Sequence, residues 1–314
     1  MRGVPLVHQV SSSGEGGCGG PRGGADKSYQ QTEDMPHETW AQHHARAMSS
    51  GPQERHSTVI LMAATEFKTA NKTVMQVLAQ AIDGSEYDSL TFEIGKAGLG
   101  VAGTNKASNT MFTLHVPHEE STSFASGESQ AIAVLAEPLE KFMGGASGAH
   151  VEEKATLSIS IGARSMEARF QIEGILRRHR TVREFPYGKT PTTAALDPSS
   201  WPSATLSDPS WLTMASTSFE RGTESEKVLV QVSPGKLRLH RSDDDVLELH
   251  AETKGTASST VFHRIFQTLS KLCQISDVKP LRVSVKQSGV VVFELHFGEG
   301  GTLSYFVTPV IEDD

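Results

Sequence analysis

The sequence has little of what marks a secreted, membrane-spanning or cofactor-rich protein. Only two cysteines, Cys18 and Cys273, occur among 314 residues, far apart and in unlike surroundings. So few thiols exclude a disulfide framework and a structural zinc site, and they fit a reducing compartment. No stretch approaches the ~18 consecutive apolar residues of a membrane helix, and the N-terminus has no apolar run of signal-peptide length. Positive charge is not in excess either: 29 basic residues stand against 37 acidic ones, a net charge of −8. This excludes binding nucleic acid through the whole surface, but leaves room for a local basic stripe. An intracellular protein with no membrane attachment is expected. What is present, 37% hydrophobic residues, is enough to bury the core of one large domain or two ordinary ones.

Residues 1–56 are rich in glycine (Gly14-Glu-Gly-Gly-Cys-Gly-Gly20) and poor in patterned apolar residues, so they read as a disordered tail. From Ser57 onward, short alternating runs begin. Strands are expected at Thr58–Ala64, Leu90–Ile94, Leu99–Ala102, Thr110–Val116 and Gln130–Ala136, then at Ala155–Ile161, Met166–Ile172 and Arg178–Phe185. Helices are expected over Thr69–Ile82, with Val74, Val77, Leu78 and Ala81 on one face, and from Glu137-Pro138 to Met143. Pro186–Ser200, with three prolines and a glycine, reads as a connector. Beyond it the plan recurs. Strands fall at Trp201–Leu206, Lys227–Val232, Lys236–His240, Val246–Ala251, Thr260–Phe262, Leu281–Val285, Val290–Phe297 and Leu303–Thr308, with helices at Asp208–Phe219 and His263–Leu272. Residues 57–185 and 201–314 are therefore expected to be two similar α+β domains, each with two short helices on antiparallel sheet.

Catalytic signatures are missing. Gly98-Leu-Gly100-Val-Ala-Gly103 fits the dinucleotide spacing, but a β pattern follows where the pyrophosphate would need a helix N-terminus. Asp243-Asp-Asp245 reads as a solvated turn, and His115 and His296 fall inside strand patterns. No acid, base and nucleophile are brought together, so no enzyme, metal site or cofactor is expected. An unrelated α+β metabolic enzyme is the rival class.

The basic residues say more. Lys72, Lys141, Arg264 and Lys271, with His263, lie on predicted helices, and one shared helical surface would set them before a polyanion. Arg177-Arg-His-Arg180 and Arg183 cluster on one strand, either as a guarded edge or as a surface facing a partner.

The closing stretch, from Leu281-Arg-Val-Ser-Val-Lys-Gln through Val290-Val-Val-Phe-Glu-Leu-His-Phe to Gly301-Thr-Leu-Ser-Tyr-Phe-Val-Thr-Pro-Val-Ile-Glu-Asp-Asp314, resembles the end of the proliferating cell nuclear antigen. Thr260-Val-Phe-His-Arg-Ile-Phe-Gln-Thr-Leu resembles its strand-into-helix segment, and the likeness to sliding DNA clamps covers 57–314. Gly98–Phe112 and Gln171–Phe185 are more similar to the largest subunit of the heterotrimeric DNA-damage checkpoint clamp. The chain departs from that subunit in ending six residues past Thr308, without a long phosphorylatable tail.

The resemblance implies a nuclear, ring-forming, non-enzymatic subunit that encircles duplex DNA without reading its sequence. The homotrimeric replication clamp is the alternative. Expected partners are two other clamp subunits, a clamp loader, and repair and signalling proteins that dock through short peptide motifs. In that frame Lys72, Lys141, His263, Arg264 and Lys271 would face DNA. Arg178, Arg180, Arg183 and Phe185 would form one subunit interface, with Leu237 and Leu239 at the other. Leu196, Trp201, Pro309 and Ile311 would line a groove for partner peptides, or simply pack in the core.

Overall fold

A computed structural model of the chain describes residues 65–82, 86–121, 123–125, 129–144, 154–186, 196–208, 226–242, 245–287 and 289–310. The expected tail over 1–56, the strand at Thr58–Ala64, all of the expected Asp208–Phe219 helix beyond Asp208, and most of the connector lie outside these residues.

The first half contains β1 (Thr65–Thr69), α1 (Lys72–Ala81), β2 (Tyr87–Gly95), β3 (Gly98–Asn105), β4 (Thr110–Pro117), β5 (Ser123–Ala125), β6 (Gln130–Leu135), α2 (Ala136–Met143), β7 (Ala155–Ile161), β8 (Ser165–Ile172) and β9 (Ile175–Arg183). The second contains β10 (Ser203–Leu206), β11 (Lys227–Ser233), β12 (Lys236–Ser242), β13 (Asp245–His250), β14 (Glu252–Lys254), β15 (Ala257–Phe262), α3 (Arg264–Cys273), β16 (Val278–Val285), β17 (Val291–Phe297) and β18 (Gly301–Val307).

Several boundaries differ from expectation for local reasons. Residues 65–69 alternate in burial around Phe67 and form a strand, so α1 starts only at Lys72. Its cap is Asn71, whose side-chain oxygen accepts from the backbone N–H of Thr73 at 2.9 Å and Val74 at 3.3 Å. The expected apolar face is buried, with Met75 added. The Gly98–Gly103 motif lies wholly within β3. A Cβ at Gly103 would stand 2.7 Å from the Phe112 ring, so this glycine makes room for packing.

Strand order shows how the halves are related. β5-β1-β7-β8-β9 form one sheet and β13-β12-β11-β15 another. The third, nine-stranded sheet runs β14-β10-β16-β17-β18-β4-β3-β2-β6. Its first five strands repeat the order of the five-stranded sheet, and its last four repeat the order of the four-stranded one. The halves join where β18 pairs antiparallel with β4, Leu303 opposite Leu114 and Tyr305 opposite Phe112. Beneath this seam the Phe112 ring lies 6.0 Å from Tyr305 and meets Tyr87 edge-on at 5.0 Å.

A buried carboxylate ties the halves at a second point. Glu120 accepts from the Asn71 side chain at 2.6 Å and from the backbone N–H of Glu299, in the β17–β18 turn. Gly298 in that turn has φ +56°, and a Cβ there would intrude on the Glu120 carboxylate. Glu120→Ala strands both donors, so it should destabilise the fold by about 1–3 kcal/mol. Urea unfolding of the variant against the parent measures this.

Candidate DNA-facing surface and subunit edges

α1 packs against both α2 and α3, so the three described helices form one layer on the sheets. Each buries an apolar stripe, such as Ile265, Phe266, Leu269 and Leu272 of α3, and turns its polar positions outward. Those positions carry four cations, Lys72, Lys141, Arg264 and Lys271, against two carboxylates, Glu137 and Glu140. The sign opposes that of the whole chain.

The cations differ in availability. Lys72 and Lys271 are exposed and, among the described residues, have no carboxylate partner. Lys141 sits 2.5 Å from Glu137, whose carboxyl its hydrogen bond and charge hold below the usual range. Arg264 is half-exposed and pairs with Glu86. Arg264 and Lys271 also line a recess of about 280 Å³ beside the seam, with Asn105, Asn109 and Tyr305.

His263 is a correction. Its side chain is fully buried rather than exposed to DNA, and its ring stacks on Phe266 at 6.2 Å. Helical phase explains this: the residue lies at the strand-to-helix corner, on the same inward face as Phe266. Burial lowers its pKa and keeps the imidazole neutral near pH 7.

The interface residues are likewise redistributed. β9 is the outermost strand of its sheet, and all its residues except Val182 are exposed. Arg180 and Arg183 are thus placed at an edge. Arg178 donates to the Phe142 carbonyl at 3.1 Å and caps the C-terminus of α2. Phe185 is half-buried, and its N–H bonds the Ala133 carbonyl of β6 at 2.7 Å. Leu237 and Leu239 are fully buried in β12, an interior strand paired on both sides. The open edge is β13, one strand further out.

Sequence reasoning missed Val246 and Glu248 of β13, and Ile175 and Leu176 of β9. Alternation marked these segments as strands; their position at an edge depends on pairing that alternation does not encode. Three of the four large hydrophobic side chains exposed among the described residues, Ile175, Leu176 and Val246, lie on these two edges.

The expected groove residues are described only in part. Leu196 and Trp201 are half-buried on either side of a single 3-10 turn, Pro198–Ser200, that contacts β16. Pro309 is half-buried, the N–H of Val310 bonds the Thr260 carbonyl at 2.9 Å, and Ile311 is outside the described residues. Among the described residues no cluster of three His, Cys, Asp or Glu side chains could hold a metal ion.

The burial of His263 has a pH consequence. Its folded pKa lies below the usual 6.5, so the unfolded chain binds the proton more readily. Stability should be full above about pH 6.5 and decline as pH falls below it. Thermal melts between pH 7 and 5 should show a shallower decline in His263→Ala than in the parent.

No protein-family model matches the chain, and no curated protein sequence does. Among solved structures, the PCNA2–PCNA3 complex from Sulfolobus tokodaii is similar, with TM-score 0.65 and 13% identity over 79% of this chain and 100% of that one. So is A. fulgidus PCNA, solved with the C-terminal region of FEN-1 bound, with TM-score 0.62 and 14% identity over 80% of this chain and 100% of that one. With two halves of repeated strand order, joined by one seam and carrying their helices in one layer, this chain has the fold of the sliding DNA clamps.

Proposed function

We propose that the chain is one subunit of a ring that encircles duplex DNA and carries docking partners. The observation behind this reading is the repeated strand order. β9 is the counterpart of β18, and β13 the counterpart of β4, yet only β18 and β4 are joined. The open edges therefore lie where the same joint, made again with a neighbour, would continue the arc. A head-to-tail contact of this kind closes into a ring when its rotation divides the circle.

The helix layer would line the hole. Phosphates would meet Lys72 and Lys271 directly, and Arg264 and Lys141 in competition with Glu86 and Glu137. Weak, distributed attraction holds a duplex without fixing its position, because phosphate contacts carry no sequence information. No step of such a role needs a catalytic group.

The finer reading is a nuclear checkpoint clamp in DNA damage response and repair, completed by two other chains and placed on DNA by a loader. Its support is the resemblance over Gly98–Phe112 and Gln171–Phe185. The second of these segments contains β9, an open edge that a neighbouring subunit would read. Short peptide motifs would dock on the subunit, much as the C-terminal region of FEN-1 is bound to A. fulgidus PCNA. A homotrimeric ring is the second reading, and the complementarity of this chain's own two edges favours it.

Retention on DNA tests the ring. The assembled protein should stay on closed circular DNA and be lost when the circle is cut; equal retention on both forms would sink the proposal. Lys72→Ala with Lys271→Ala should reduce the slope of log affinity against log salt by about 2. An unchanged slope would remove these lysines from the lining.

A further inference from the structure

The recess beside the seam differs from the helix layer around it in having an apolar floor. Its volume, about 280 Å³, falls just short of the roughly 300–1,000 Å³ that drug-sized ligands occupy. It therefore has room for one small ring system and its substituents. One wall is a stripe of α3, Arg264, Thr268 and Lys271, which share a helical face by their spacing of four and three. The floor is formed by Ala81, Ile265, Tyr305 and Val307, all buried. Two side-chain amides stand at the rim, Gln80 of α1 and Asn109 of the β3–β4 turn. The Asn109 oxygen accepts from Asn105 and Thr110. Its NH2 group, like the Gln80 amide, has no hydrogen-bond partner among the described residues.

A second recess adjoins the first, sharing Tyr87 and Asn105, and the two differ in charge. In the second, Lys106 alone stands against two carboxylates, Glu137 and Asp88, the latter 3.8 Å away. The recess beside the seam has two cations, Arg264 and Lys271, against Glu86. Only this one would attract a phosphate. An apolar floor, amides with hydrogen bonds to give and a positive wall complement a single nucleotide: ring, ring edge and phosphate in turn.

We infer that this recess holds one unpaired nucleotide of DNA, its base toward Ala81 and Ile265 and its phosphate on Lys271 and Arg264. The inference deepens the ring reading and rests on it for the helix layer facing DNA. A paired base is out of reach inside its stack, whereas a base without a partner costs least to extrude. Duplex phosphates would touch the α3 stripe in passing, and an unpaired nucleotide would stop there. The ring would slide over paired DNA and dwell where a nucleotide has lost its partner.

Fluorescence anisotropy with the full chain at low salt tests this on short linear duplexes, which need no closed ring. The probes are a fully paired duplex, the same duplex with one bulged adenine, and one with an abasic residue at the bulge. The bulged adenine should bind about tenfold more tightly than the abasic bulge. Thr268→Phe, its fold checked by circular dichroism, fills the recess without changing charge. It should abolish that preference and leave affinity for the paired duplex unchanged. Gln80→Ala, on the other helix, should reduce the preference by about threefold.

Equal affinity for the adenine and abasic bulges overturns the inference, as does a preference that survives Thr268→Phe. A free mononucleotide offers the same chemistry, so dAMP is the competing probe. Displacement of the bulged duplex by an equal concentration of dAMP would assign the recess to a free nucleotide and overturn DNA as its source. If circular DNA is retained while the bulged base goes unread, the ring reading stands and only the recess fails. Base-dependent binding without retention on circles would keep the recess and remove the ring.

Discussion

The ladder between β18 and β4 is the joint on which the rest of the molecule depends. It turns two short-stranded halves into one nine-stranded sheet and buries Phe112 between Tyr87 and Tyr305. One end is sealed by Asn105, which accepts from the backbone of Asn109 and Thr110, and by Thr308, whose N–H bonds the Asn109 carbonyl. Glu120 ties the halves again through Asn71 and the β17–β18 turn. Because the seam uses one end of each half, the opposite ends are left open. A chain built from two copies of one plan and a single internal joint cannot satisfy its own edges, and unpaired strand edges are either guarded or used.

Charge is arranged around the same geometry. The whole chain is acidic, yet its described helices carry twice as many cations as carboxylates. Pairing with Glu86 and Glu137 moderates Arg264 and Lys141. In the proposed ring that moderation would ease sliding, since each strong phosphate contact would add to the barrier. His263 shows the limit of reading charge from composition, because a histidine turned into the core contributes a titration and no attraction.

Local features were legible in the sequence to the extent that they have local causes. The apolar stripes of α1 and α3, the Gly95–Gly98 hairpin and the closing meander of β16, β17 and β18 follow from periodicity and turn chemistry, and all are present. The start of α1 was misplaced because Thr65–Thr69 alternates too briefly to stand out from a helix beginning nearby. Arg178 looked like one more edge arginine. Its role as a cap becomes visible only once α2 ends beside β9, 36 residues away in the chain.

What the sequence determined by itself was the repeated order of most strands, the inward faces of α1 and α3 and the positive sign of their outward faces. These depend on spacings of two to four residues, which every local segment carries. Only the tertiary structure decided that β12 is interior and β13 an edge, that His263 is buried, and that β9 ends a sheet. Those properties are set by which distant strands hydrogen-bond, and two strands with the same alternation differ in role only through the neighbours they receive.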